Sequence, residues 1–449
     1  MIELESSQVT LKRTLGVAPV VFLGLAYMSP FAVFDTFGVV SAETHGHVPA
    51  SYILITIAIL FTALSYGKMV KLYPDAGSAY TYTKKTMGSK LGFLVGWSAL
   101  LDYLFLPMIN AVLAGIYLSA SFPAVPSWVW VVGLIVIITV MNIAGIKITV
   151  SANTLFVLFQ LLVAIIFVFL TIRAIILGDG GTSFGMNPFF SEEISMNLLF
   201  SGAAILALAF LGFDAVTTLS EETIQPEKNI PKAIFLIALI GGAFFITVTY
   251  FMQVLYPDVS IFHDIEGASP EIAIHIGGLL FQSVFTSGAL ISVLASGLAA
   301  QTSASRLLFA MGRDGVIPKK WFGKVHPKLQ TPVFNIIFIG VLSLSALFLD
   351  LVTATSLINF GAFTAFSFVN LSVIVYYFKN KQSMKGASYT RYVLFPLIGL
   401  AFLIYLWFSL DALALGFGLC WFAIGLAYLT WLTKGFKVKP PEYEFAENV

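Results

Sequence analysis

The sequence predicts an all-α membrane protein of twelve transmembrane helices, and three observations lead to it. Its 449 residues are 58% hydrophobic and only 10% charged, against about 25% charged in an average soluble domain. Apolar runs of the roughly 20 residues that cross a bilayer recur along the whole chain. The short segments between them alternate between basic and acidic, as they do when a chain crosses a membrane each time. So few charges could not cover the surface of a water-soluble fold, whereas lipid accepts an apolar exterior.

The twelve spans are expected at 18–42, 50–70, 91–119, 127–145, 151–177, 197–220, 233–255, 274–301, 333–350, 355–378, 391–410 and 412–433. With the amino terminus inside, all 24 basic residues except Arg173 fall in inner segments. The outer loops carry acids instead: Asp179, Glu192, Glu193, Asp258, Asp264, Glu266 and Glu271. This asymmetry predicts a multi-pass protein of the cell membrane with both termini cytoplasmic. It divides the chain into a cytoplasmic segment 1–17, a ten-helix core 18–378, two further helices in 379–433, and a cytoplasmic tail 434–449. The longest inner segment, 302–332, reads as one or two short amphipathic helices. No cleavable signal peptide is evident after the polar opening "MIELESSQVTLKRTLG".

Composition also excludes. A net charge of +1 offers no basic patch for nucleic acid. The single cysteine, Cys420, can form neither an internal disulfide nor a cysteine-based metal site. No phosphate-binding GxxxxGK[ST] and no HExxH is present, so neither ATP nor a cofactor is expected. His45 and His47 flank Gly46 in an outer loop, and two histidines alone rarely hold a metal. Glu221 and Glu222 end the sixth span and are expected to pair with Lys228 or Lys232.

Two spans carry interruptions. The first contains "AYMSPFAVFDTFG" (26–38), where Pro30 removes a backbone donor and clashes with the preceding turn. The sixth contains "LALAFLGFDAVTTLSEE" (206–222), with Gly212 followed by Asp214. The first and sixth spans hold corresponding positions in two five-helix halves of opposite orientation. Interrupted helices in such positions point to a transporter binding site. Pro and Gly are also simply common in membrane helices, which is the plainer reading.

Asp35, Asp102 and Asp214 lie well inside predicted spans, with no mid-span lysine or arginine to pair with them. A lone carboxylate at mid-bilayer costs roughly 2.5–3.5 kcal/mol on insertion scales. Each can be protonated, can accept hydrogen bonds from freed amides or hydroxyls such as Ser29 and Thr36, or can await an arriving cation. The last option describes a site for an organic ammonium, a proton or Na+. Aromatic faces attract ammonium groups, and Phe31, Phe34, Tyr103, Phe210 and Phe213 stand beside the breaks or the acids. Tyr103 and Asn110, seven apart, share a helix face.

Three stretches, "YPDAGSAYTYTKKTMG" (73–88), "FLGFDAVTTLSEETIQPEKNIPKAI" (210–234) and "SRLLFAMGRDGVIPKKWFGKVHPKLQTP" (305–332), resemble the amino acid–polyamine–organocation transporter superfamily over nearly the whole chain. Within it, "GLAYMSPFAVFDTFGVVSAETHGHVPASY" (24–52), "GWSALLDYLFLPMIN" (96–110) and "DLVTATSLINFGAFTAFSFVNLSV" (350–373) look most like bacterial putrescine importers. The resemblance implies a 5+5 inverted-repeat core with broken helices one and six plus two added helices. It also implies a central site and uptake driven by a proton gradient. It places Asp214 at the acidic position used against a substrate amine, Tyr103 at the span-three tyrosine, and Phe210 to Gly212 in the unwound segment.

Departures exist. "MSPF" replaces the Gly-Ser-Gly-like turn whose amides hold a substrate carboxylate. Leu208 and Ala300 replace two tryptophans of arginine/agmatine antiporters, and Gln160 stands near a span-five lysine. Together these readings give substrate-binding residues Ser29, Phe31, Asp35, Asp102, Tyr103, Phe210, Gly212, Phe213 and Asp214. The expected partners are a small cationic substrate, protons and membrane lipids, in a monomer or homodimer. An amino acid:proton symporter or exchanger remains the first alternative, and a non-transporting sensor the second.

Overall fold

The computed structural model describes residues 11–179, 184–191, 194–258, 260–262, 265, 267–348, 351–383, 389–410 and 412–441. Glu192, Glu193, Asp264, Glu266, Asp350, Lys385 and both chain ends lie outside that set. Among the described residues the protein is all-helical, apart from one isolated β-bridge between Leu15 and Thr223.

The first expected span is two helices, α1 (Val17–Met28) and α2 (Ala32–Glu43), bent by 44°. There follow α3 (Val48–Leu72), α4 (Ser78–Met87), α5 (Ser89–Ser121), α6 (Ser127–Ala144) and α7 (Ile146–Leu177). The sixth span is α8 (Met196–Leu206) continued by two 3-10 stretches, Ala207–Phe210 and Ala215–Glu222. Then come α9 (Pro226–Leu255), α10 (Ala268–Asp314), the four-residue α11 (Lys319–Phe322) and α12 (Val333–Ser343) with a 3-10 turn to Leu347. α13 (Leu351–Lys379), α14 (Phe395–Phe408) and α15 (Ala412–Leu432) complete the chain. Among the described residues ten helices are long and apolar enough to cross a membrane, or eleven with the bent pair; Val333–Leu347 is a shorter apolar helix. Large apolar side chains such as Leu280, Phe408 and Trp431 face outward, a surface suited to lipid.

Both breaks have local causes. Ser29 adopts φ 57°, Pro30 has no amide to donate, and helix resumes at Ala32. The Tyr27 carbonyl freed by the break accepts from Ser296 Oγ at 3.1 Å, and Ser29 Oγ bonds Ser292 Oγ. Two serines one turn apart on α10 therefore satisfy the end of α1. In the sixth span Leu211 is extended and Gly212 takes φ 102°. A Cβ on Gly212 would lie 1.9 Å from the Tyr27 ring, so this position needs glycine for both conformation and space.

The segment 302–332 differs from expectation. α10 does not stop near residue 301 but runs on to Asp314, with one kink at Gly278. From that kink it extends roughly 54 Å at 1.5 Å per residue. Its polar end is buried because it is paired. Arg306 grips Glu222 through two 2.9 Å hydrogen bonds, with both side chains about 1% exposed. Arg313 grips Glu221 at 2.7 and 2.8 Å, and Lys84 and Tyr80 meet Asp314. The expected pairing of Glu221 and Glu222 with Lys228 or Lys232 is thus overturned: both lysines are exposed on α9, and arginines seven apart on one face of α10 take the glutamates. The Glu222 carbonyl also accepts the amides of Thr14 and Leu15, at 2.8 and 3.0 Å, tying the approach to α1 to the end of the sixth span.

At the other side of α5, Trp97 and Trp421 stack with centroids 4.8 Å apart. Each indole N–H donates to the other's carbonyl, at 3.0 and 2.7 Å. Gly425 supplies the room, since its Cβ would meet the Trp97 ring at 2.3 Å.

Two outcomes test this architecture. Arg306→Met strands a buried carboxylate and is expected to cost about 3–5 kcal/mol, read as a lower apparent melting temperature in detergent. The double variant Arg306→Met/Glu222→Met is expected to recover most of that loss. Gly212→Ala combines a left-handed backbone penalty with overpacking against Tyr27, together roughly 2–5 kcal/mol, and is expected to lower the same melting temperature.

Candidate functional site

The two breaks bring their flanking residues together with α3, α4 and α5. Asp214 follows the left-handed Gly212 and opens the second 3-10 stretch. Its Oδ2 accepts the hydroxyls of Tyr66 from α3 and Tyr103 from α5, each at 3.1 Å. Tyr103 also lies 3.4 Å from Ser78 Oγ at the start of α4. Asp214 Oδ1 has no hydrogen bond of good geometry, although the amides of Asp214 and Ala215 lie beside it.

Asp102 precedes Tyr103 on α5 and lies within electrostatic reach of Asp214. Its Oδ1 is buried without a partner. α13 approaches it closely through Gly361, whose Cβ would come 2.7 Å from the Asp102 amide. Tyr27, the penultimate residue of α1, completes the group. Its ring rests on Gly212, and its hydroxyl is buried, unbonded, and within electrostatic reach of both carboxylates. Asp102, Tyr103 and Asp214 are each at most 2% exposed.

The chemistry of this group is distinctive. Two carboxylates share one buried cluster, each with an oxygen short of a hydrogen bond, among three tyrosine hydroxyls. Among the described residues no lysine or arginine belongs to it; Arg306 and Arg313 are committed to Glu222 and Glu221. Buried polar atoms are ordinarily satisfied, and unsatisfied acceptors amid negative charge suit a cation with several N–H donors.

Of the residues singled out from sequence, Asp214, Tyr103, Asp102 and Gly212 meet here. Phe213 borders them, with its ring 5.8 Å from Tyr66 and 5.1 Å from Phe366. The others have different neighbours. Ser29 bonds Ser292, and Phe31 packs with Phe34 and Phe285. Phe210 packs with Tyr52 and Phe245. Asp35 is exposed on α2 and accepts the Tyr117 hydroxyl at 3.3 Å. Asn110 donates to Ser296 Oγ, the group that holds the Tyr27 carbonyl. His47 is structural, with its ring nitrogens 2.8 Å from Thr44 O and from Ser191 Oγ.

Sequence reasoning missed Tyr66, Ser78 and Tyr27. All three are hydroxyl residues in a chain with 17 tyrosines, and only the packing of α3 and α4 on the breaks distinguishes them. Gln160 and Asn153, seven apart on one face of α7, are fully buried with all four amide atoms unbonded.

Comparison with known proteins follows the same line. The family model for amino acid permeases matches residues 20–431. The chain is 47% identical to the low-affinity putrescine importer PlaP of Escherichia coli K12 over 98% of either protein. It is 27% identical to the branched-chain amino acid permease BcaP of Bacillus subtilis, over 95% of this chain and 94% of that one. It is 29% identical to the vacuolar cationic amino acid transporter 4 of Arabidopsis thaliana, over 81% of this chain and 63% of that one. A match across nearly every helix carries the conclusion that this chain belongs to the amino acid permease family, whose members here are membrane transporters rather than enzymes.

Proposed function

We propose that the protein imports putrescine or a similar small diamine across the cell membrane, coupled to protons. One observation carries the reading: Asp214 and Asp102 lie in one buried cluster, each with an oxygen short of a hydrogen bond and, among the described residues, neither with a basic partner. A diamine presents two ammonium groups joined by a short methylene chain, and so needs two anionic anchors a few ångströms apart. Asp214 holds one end. Asp102, with Tyr103, holds the other. Asp35, on α2, is the remaining acid of the set and lies apart from the pair. Similarity to the putrescine importer supports the same substrate class.

The alternative substrate, a zwitterionic amino acid, needs free amides at the first break for its carboxylate. Here Pro30 has none, Ser29 N donates to Leu25 O at 2.9 Å, and Ala32 N donates to Ser29 O at 3.1 Å. Of the four positions 29–32, two amides are engaged and one is absent, which disfavours carboxylate binding. A sensor that binds without transport differs only in flux.

The proposed architecture counts the α1/α2 pair as one span and Val333–Leu347 as another, giving twelve. The first ten form two inverted five-helix halves over 18–378, and two more follow in 379–433. Both termini face the cytoplasm, because the basic residues gather at one end. Protons and lipid complete the list of partners, and the working unit is a monomer or a homodimer.

Asp214→Asn keeps the shape and removes the charge. Losing one charge-assisted hydrogen bond of about 1.5–3 kcal/mol corresponds to roughly ten- to hundredfold weaker binding. Saturable uptake of radiolabelled putrescine into proteoliposomes is expected to vanish at wild-type protein levels. Uptake near the wild-type rate would remove Asp214 from the site. In the wild-type protein, excess unlabelled diamine is expected to compete and excess leucine is not; inhibition by leucine favours the amino acid reading.

A further inference from the structure

Three separate contacts fix the position of Tyr27, the member of the cluster that belongs to the first span. Its carbonyl, left free by the break after Met28, accepts from Ser296 Oγ at 3.1 Å, and Ser296 is itself held by Asn110 of α5 at 3.2 Å. Its ring rests on Gly212 so closely that a single Cβ there would overlap it. Its hydroxyl is 2% or less exposed with its residue, makes no hydrogen bond, and interacts electrostatically with Asp102, Tyr103 and Asp214.

The other two tyrosines of the cluster behave differently. Tyr66 and Tyr103 spend their hydroxyls on Asp214 Oδ2 and so orient that carboxylate. Tyr27 orients nothing; its phenol has one donor and an acceptor oxygen to spare. It comes from the first span, Asp102 from α5 and Asp214 from the sixth span, so three independent elements converge.

We propose that Tyr27 is a specificity-determining residue of the diamine site, and that its ring gauges the length of the methylene chain held between Asp102 and Asp214. The proposal rests on the diamine reading and extends it to selectivity. Two ammonium groups anchored on those acids draw the chain joining them past Tyr27, which lies within electrostatic reach of both. The ring is backed by Gly212 and by the anchored α1 backbone, so it cannot retreat to admit a longer chain. Its hydroxyl is free to accept an N–H from an ammonium while donating to a carboxylate. A shorter diamine fails to reach both acids, and a longer one meets the ring.

The test is a competition series. Labelled putrescine uptake into proteoliposomes is challenged with unlabelled α,ω-diamines of three to seven carbons. Wild type is expected to prefer four carbons, with adjacent homologues about four- to tenfold weaker, the scale of one methylene in a close-fitting site. Tyr27→Leu is expected to move the optimum to five or six carbons. Tyr27→Phe keeps the ring, and is expected to keep the four-carbon optimum while raising the half-saturating concentration several-fold.

A Tyr27→Leu protein whose ranking of homologues matches wild type overturns the proposal, whatever its absolute rate. A structural role alone would lower uptake without reordering the series. Should Tyr27→Leu give no folded protein, Tyr27→Met supplies the same comparison with a flexible side chain. A wild-type protein that takes up no diamine defeats the transport reading itself, an outcome separate from an unchanged ranking.

Discussion

Everything in this fold turns on two carboxylates kept in a place where charge is costly. Asp214 and Asp102 sit within a bundle whose exterior suits only lipid, and among the described residues neither has a basic partner. Low dielectric makes an uncompensated carboxylate expensive. The surrounding structure lowers that cost without removing it. Two tyrosine hydroxyls hold one oxygen of Asp214, and the start of a 3-10 helix lends it backbone dipoles. Asp214 Oδ1 and Asp102 Oδ1 remain without a hydrogen bond, and under the proposed function a bound cation supplies it, which links the price of burial to the act of binding.

The same economy of charge explains the other end of the molecule. Three basic residues there are paired with acids of their own. Arg306 and Arg313 grip Glu222 and Glu221, and Lys84 meets Asp314. α10 organises both regions. Its serines 292 and 296 satisfy the break in the first span, and its arginines, about three and about five turns beyond Ser296, anchor the end of the sixth. One long helix therefore holds each broken span by its loose polar groups, which keeps opened backbone compatible with a lipid-embedded bundle.

Much of this was legible in the chain itself. Span limits fell within a few residues for most helices, because apolar length is a direct signal. Both interruptions were readable from Pro30 and Gly212, whose backbone chemistry is local. Asp102, Tyr103 and Asp214 stood out because charge or a hydroxyl beside charge is rare inside a span. The unread part is non-local. Nothing near Glu222 in sequence names Arg306, which lies 84 residues away, so the nearer lysines were chosen instead. The continuation of α10 past residue 301 was hidden because its polar side chains are neutralised only by tertiary pairing. Asp35 sat on a predicted span like its companions, yet α2 turns it toward Tyr117 and an exposed face.

The paired indoles of Trp97 and Trp421 have a mechanical meaning. Their reciprocal N–H bonds close a ring between α5 and α15, and stacking leaves little freedom for either helix to slide. Asp102 and Tyr103 lie on the same helix, only a turn or two beyond Trp97. The final helix, remote in sequence and faced with large exposed apolar side chains, is thus riveted to the helix that carries both residues, so a contact made by the end of the chain bears on the setting of its buried acid.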